Sequence, residues 1–229
     1  MQLFLLVAMV LSMQATNRDV QKPAHEKAQS TSIHELYLED QADRGAAPGR
    51  KSASPEQMAA NDAERRRRAH QLLDAGRLKS ASDFHDAAFI FQHGDAPDDY
   101  LLAHALAMVA VSKGDPHGRW IAAATLDRYL QSIGRAQVFG TQYLTRSYVE
   151  YLSKAAAAQS AQKKDNDDEN SGTKNPEEWV QEPYKSSLIS DSLRAEYCVV
   201  PLEEQRKNVT AMNQGNEGKV ATTIPGCSK

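Results

Sequence analysis

The chain has 229 residues, 27 of them basic and 30 acidic, for a formal charge of -3, with 41% hydrophobic residues and a mean hydropathy of -0.60. That length admits one medium domain or two small ones, and so polar a composition leaves part of the chain outside any core, so one domain with loose ends is expected. The near balance of charge excludes a general nucleic-acid surface or adhesion to an anionic membrane.

The amino terminus, "MQLFLLVAMVLSMQAT", is apolar from Leu3 to Met13. It is too short to span a bilayer as a mature helix and reads as a secretory signal over residues 1–15. Two features depart from that layout: no Lys or Arg precedes the run, and Met13 sits two places before a cleavage at Ala15. A buried amphipathic start is the alternative. The signal reading implies a secreted or periplasmic protein with no stable membrane anchor once the signal is removed.

Residues 16–30 are polar and read as a disordered linker, and a helical domain is expected over 31–158. It opens with a short helix in "SIHELYLEDQADR", where Ile33, Leu36 and Tyr37 share a stripe. A Gly-, Pro- and Ala-rich linker runs from Gly45 to Ser54. Four helices follow, each closed by glycine. The first has Ser54 as N-cap, Pro55 at its first position and Gln57 in a capping box, and stops at Gly76. The second starts near Ser80 or Ser82 and stops at Gly94. The third is opened by Asp95, with Pro97 in its first turn, and stops at Gly114. The fourth is opened by Asp115 and Pro116 and stops at Gly134.

The glycines are about 18 to 20 residues apart, close to the helix-pair period of tetratricopeptide-like solenoids. The Trp, Leu, Gly and Tyr signature of those repeats is absent, so a compact bundle is an equal alternative. Either way the fold class is all-α, an antiparallel helical array or bundle. A further helix is expected over 141–158. The polar run of 159–178 reads as a disordered insertion, 179–210 as a C-terminal helical segment docking through Leu188, Leu193 and Val199, and 211–229 as a flexible tail. Cys198 and Cys227 form one disulfide if the protein is exported; two unpaired thiols are the alternative.

Few residue patterns point to chemistry. The run "ERRRR" at 64–68 spreads around a helix and reads as solvated faces with i,i+4 pairs. His93 and Asp95 flank Gly94 at a helix-to-helix turn, where Asp95 is an N-cap and His93 sits at a helix C-terminus, or where His93 is a general base or ligand held by Gln92 or Asp95. His104 lies within an apolar helix and reads as structural. Asp127 and Arg128 read as a salt-bridged seam or an anion clamp. The histidines 85, 93, 104 and 117 show no metal-ligand spacing, so no metal is expected. No phosphate loop, dinucleotide fingerprint, serine elbow or zinc-protease motif occurs, and no cofactor is expected.

Four strings line up in order: "EDQADR" at 39–44, "QHGD" at 92–95, "DRYLQSIGRAQVFGTQ" at 127–142 and "LRAEYCVVPLEEQ" at 193–205. Together they resemble a bacterial family of unknown function whose members read E-D-Q-x-x-R, then Q-H-x-D, then D-R followed by G-x-x-Q-x-[YF]-G-T-Q. The resemblance runs from about residue 33 to 205. It implies an all-helical fold and a shared polar set, not an activity. The matching positions are Asp40, Gln41, Arg44, Gln92, His93, Asp95, Asp127, Arg128, Gln137, Gly140, Thr141 and Gln142. Gly94 replaces the usual alanine, and Phe139 stands where tyrosine is usual.

These residues are expected to form one polar pocket from the Gln92–Asp95 turn, the Asp127–Arg128 pair and the Gly140–Gln142 turn. Two functions compete. The preferred one is a binding or interaction module for a polar or anionic ligand or a protein partner, with Asp40, Gln41, Arg44, Gln92, Asp95, Gln137, Thr141 and Gln142 as binding or packing groups. The other is a hydrolase or transferase with catalytic His93, Asp127 and Arg128: His93 the base, Asp40 or Asp127 orienting it, and Arg128 or Arg44 holding an anion.

Overall fold

A computed structural model describes residues 32–45, 51–159, 175–216, 218, 220–225 and 227. The expected signal over 1–15, the linker over 16–30 and most of the insertion (160–174) lie outside the described residues.

The described residues form the all-α array expected, with eight helices and one small sheet. In chain order these are α1 (Ile33–Asp43), α2 (Pro55–Asp74), α3 (Ala81–Phe91), α4 (Pro97–Ser112), α5 (Gly118–Ser132), β1 (Leu144–Thr145), α6 (Arg146–Gln159), β2 (Trp179–Val180), α7 (Asp191–Glu196) and α8 (Leu202–Asn213). α1 to α6 pack largely each on the next, with α1 also on α3 and α3 also on α5.

Local chemistry sets the helix ends. Ser32, Ser54 and Ser80 each accept a hydrogen bond from the third helical N–H, and Glu35 and Asp83 reciprocate at α1 and α3. Gly76, Gly114 and Gly134 take left-handed φ values of 59°, 94° and 71°. At each, the following N–H folds back onto the last turn: Arg77 N–H to Leu72, Asp115 to Ala110, and Arg135 to Leu130. Gly94 is not left-handed, so α3 ends differently.

Two helix starts differ from expectation. The N-cap of α4 is Ala96, not Asp95, and the Asp99 carboxylate accepts from the N–H groups of Asp95 and Ala96 at 3.1 and 3.3 Å. Gly94 lets Asp99 pack against the turn, since a Cβ there would lie 2.2 Å from that of Asp99. The N-cap of α5 is His117, and Asp115 accepts its N–H at 2.9 Å.

The core lies where α3, α4 and α5 meet α1. Leu36, Ile90, Phe91 and Ile121 are closed off among Ala87, Ala88, Ala103, Ala107 and Ala122. The alanines let the helices approach closely, and burial of the larger side chains contributes about 1.5–3 kcal/mol each. α4 is not buried all round: Leu101 and Met108 are exposed.

After α5 the chain folds back over residues 133–143, and β1 pairs antiparallel with β2, Leu144 opposite Val180 and Thr145 opposite Trp179. β1 sits where the sequence suggested helix from 141, and β2 opens the segment over 179–210 that was expected to be helical; Glu178, at the end of the expected insertion, pairs with Arg146 at 2.6 Å. The described residues of the tail are likewise tied down. α8 continues to Asn213, Cys227 is bonded to Cys198, Trp120 Nε1 donates to Thr222 O at 3.0 Å, and Asn208 bonds Ala221 in both directions. Composition signalled a loose end because the cross-link that holds it involves a partner 29 residues away. No helix among the described residues is long and apolar enough to cross a membrane.

Candidate functional site

The expected site residues separate into three groups. The first joins α1, α2 and the α3–α4 turn. Asp40, 1% exposed on α1, accepts from Arg44 Nη1 at 2.8 Å, from Gln41 Nε2 at 2.9 Å, and lies 3.0 Å from His93 Nδ1. The other arm of Arg44 reaches Asp62 at 2.8 Å, and Arg65 bonds Asp62 at 2.5 Å and Asp43 at 2.7 Å. Arg66 donates to the His93 carbonyl at 2.7 Å and to Asp95 at 2.5 Å.

The basic run is therefore not wholly solvated. Arg65 is 4% exposed, because it shares a stripe with Asp62, buried Ala69 and Leu72. That three-and-four spacing was the available signal. Arg67 does pair with Glu64 on the surface.

Asp40, Asp62 and His93 could offer three ligand atoms within 4.8 Å of one another. Yet both carboxylates already bond the Arg44 guanidinium, so the donor set fits a salt-bridged junction. Burial lowers the His93 pKa from the ordinary imidazole value, outweighing its bond to Asp40. The neutral ring then donates from Nδ1 to Asp40 and keeps its Nε2 lone pair.

The second group is a staple between α5 and the segment after it. Fully buried Asp127 accepts from the N–H groups of Val138, Phe139 and Thr141 at 2.7, 3.0 and 3.0 Å, and from Thr141 Oγ1 at 2.8 Å. Burial pushes its carboxyl pKa up, against the pull of those donors. Gln137 donates to the carbonyls of Gln142 and Gln181 and accepts from Gln142 N–H. Gln142 Nε2 donates to Ala124 O and Thr141 Oγ1. Beyond them Gln205 and Arg194 both donate to Phe139 O, and Tyr184 bonds Gln205. Gly140, at φ 81°, is packed so closely that a Cβ would lie 2.0 Å from Gln205 Oε1. Asp127, Gln137, Arg194 and Gln205 thus all bond the backbone of residues 137–142.

Asp127 and Arg128 are not a salt-bridged seam. Adjacent helical residues point about 100° apart, so Asp127 meets the loop while Arg128 turns toward α3, α4 and α6. Arg128 Nη1 donates to Gln92 O at 3.3 Å. The guanidinium lines a cavity of about 110 Å³ whose polar wall also includes Gln131, Ser132 and Gln142. Its apolar wall is formed by Leu144, Leu152 and the tyrosines 100, 143 and 148.

Two donors at this cavity are enclosed without a partner, Arg128 Nε and Gln131 Nε2. Among the described residues no carboxylate lies within ion-pair distance of Arg128, and desolvation lowers its pKa. Of the five residues expected around one cavity, only Arg128 and Gln142 line this one; Gln92 lends its carbonyl, while His93 and Asp127 belong to the other groups. Gln131 and the tyrosines were not foreseen. The i,i+3 spacing of Arg128 and Gln131 was visible, but their common neighbours come from distant parts of the chain.

Compared with protein families, with curated proteins and with solved structures, the chain gives no match. Its function is therefore argued from this geometry.

Proposed function

We propose that the protein is a non-enzymatic binding module that holds a small anionic ligand at Arg128. The observation that carries this reading is a guanidinium bordering a cavity with no carboxylate partner among the described residues. A half-buried guanidinium without a counter-charge is destabilising, and each enclosed unbonded donor costs about 1–3 kcal/mol. A bound anion would offset both. Nucleic acid is not part of this reading. The apolar run of Leu3–Met13 and the Cys198–Cys227 disulfide support export to an oxidising compartment, and the matching strings support kinship with the bacterial family they resemble.

The alternative, a hydrolase or transferase with His93 as base, is favoured by the Asp40–His93 bond and the neutral ring. It is the weaker reading, because His93 does not line the Arg128 cavity and neither Asp40 nor Arg44 is free of the salt-bridge network.

Thermal unfolding at fixed ionic strength tests the proposal, with acetate and phosphate compared against acetamide and glycerol. A ligand at 100 times its Kd adds about 2.7 kcal/mol, which raises Tm by roughly 5–10 °C at this size. An anion is expected to produce such a shift in the wild type and not in Arg128→Gln. Equal shifts in both proteins, or none with either anion, would overturn it.

A further inference from the structure

Resting on the anion-site reading above, we infer that the Arg128 cavity takes a compact monocarboxylate with a short apolar body. Charge comes first. Arg128 supplies one positive charge, and the neighbouring cation Arg44 is already engaged by Asp40 and Asp62. One guanidinium balances a monoanion, whereas a phosphate or sulfate dianion would leave one buried charge unpaired.

The donors left over point the same way. Arg128 Nη1 is occupied by Gln92 O, while Nε is unbonded and Nη2 makes no hydrogen bond among the described residues. That is the side-on edge of the guanidinium, whose two parallel N–H groups match the two oxygens of a carboxylate. Gln131 Nε2 adds one donor. Other donors of the wall are committed: Ser132 Oγ donates to Tyr129 O, Gln142 Nε2 to Ala124 O and Thr141 Oγ1, and the Tyr100 hydroxyl to Gly94 O, while the Tyr143 hydroxyl accepts from Asn208 Nδ2 and keeps its own proton.

The remaining wall selects the body. Leu144, Leu152 and the tyrosine rings present hydrocarbon opposite the charge, and Tyr148, 45% exposed, forms the outer side. A cavity of about 110 Å³, open to solvent on one side, suits the body of a small acid.

The test uses the full chain labelled with ¹⁵N, following the Arg128 Nε–H resonance during titration with propionate, inorganic phosphate and propionamide. The signal is assigned by its loss in Arg128→Lys. The expected result is a saturable shift with propionate, at least tenfold tighter than with phosphate, and no shift with propionamide. Leu152→Trp, which fills the cavity and leaves Arg128 in place, is expected to abolish the propionate shift. Phosphate binding as tightly as propionate overturns the monocarboxylate assignment and leaves the anion site standing. Propionamide binding as tightly as propionate overturns both. Absence of any propionate shift overturns the assignment, and the acetate and phosphate arms of the thermal test then decide the anion site separately. Propionate binding that survives Leu152→Trp places the ligand elsewhere and overturns the assignment as well.

Discussion

At the scale of single residues, Asp127 shows how a polar group can be indispensable without being catalytic. Its carboxylate gathers four donors from residues 138–141. Asp127→Asn keeps the shape but turns an amide N–H toward donors. It is expected to cost about 2–4 kcal/mol, by the penalty for unmade buried hydrogen bonds, measured as a lower midpoint in urea.

His93 gives a pH dependence whose sign follows from its environment. Burial holds its folded pKa below the ordinary value of about 6.5. As pH falls below that value the unfolded chain binds the proton first, so the unfolded state gains stability and the fold loses it. Stability is therefore expected to fall from pH 7 toward pH 5 and to level off below the folded pKa of His93. His93→Gln should flatten part of that slope in denaturation curves taken across the range; an unchanged slope would remove His93 as its source.

At this scale the sequence suggested one pocket, and the structure distributes its polar residues over three groups. Asp127 and Arg128 look like a pair in the chain, and helix geometry sends them to different sites. Nothing in "DR" says which side chain meets a loop and which a cavity.

Among elements, the helix ends were the most legible feature, because Ser, Pro and Gly act through their own backbone and nearest turn. Ser54, Gly76, Gly114 and Gly134 all perform the roles their positions imply. Asp95 was misread because its carboxylate pairs with Arg66, while Asp99 reaches back to the N–H groups of Asp95 and Ala96. The β1–β2 pair escaped notice since each strand has only two residues, too few for any alternation to register.

The glycines also separate backbone strain from crowding. Gly114 has φ 94° with open space around it, whereas Gly140 has φ 81° and lies against Gln205 and Tyr184. Gly114→Ala is expected to cost about 1–2 kcal/mol, the ordinary penalty of a left-handed residue. Gly140→Ala adds an overpacking cost of roughly 1–3 kcal/mol and should unlock the C-terminal network. Similar losses at the two sites, measured by urea unfolding, would contradict this packing.

For the molecule as a whole, the fold class was readable from glycine-punctuated helices, while the closure of the C-terminal part was not. Residues 137–142, β2, α7 and α8 are held by buried amides and Arg194, all of which composition would place on a surface. Their burial depends on partners up to 66 residues apart, as between Gln205 and Phe139. The disulfide completes this closure. Replacing Cys198 and Cys227 together by Ala is expected to cost about 3–4 kcal/mol from loop-closure entropy, seen as a lower Tm that no longer responds to reductant. An unchanged Tm would mean that the noncovalent contacts of residues 220–225 suffice.

The network around Asp40, Asp62 and Arg65 fixes α1 and α2, and the Asp127 staple fixes the chain after α5. Between them stands Arg128, a cavity-lining guanidinium with no carboxylate within ion-pair distance among the described residues. Its role is most directly visible in a crystal of the full chain soaked in acetate and resolved well enough to place small molecules. The account predicts planar density in the cavity, bonded to the side-on edge of Arg128 and within reach of Gln131. A cavity holding only water at saturating acetate, or a carboxylate of the protein itself on Arg128, would contradict it.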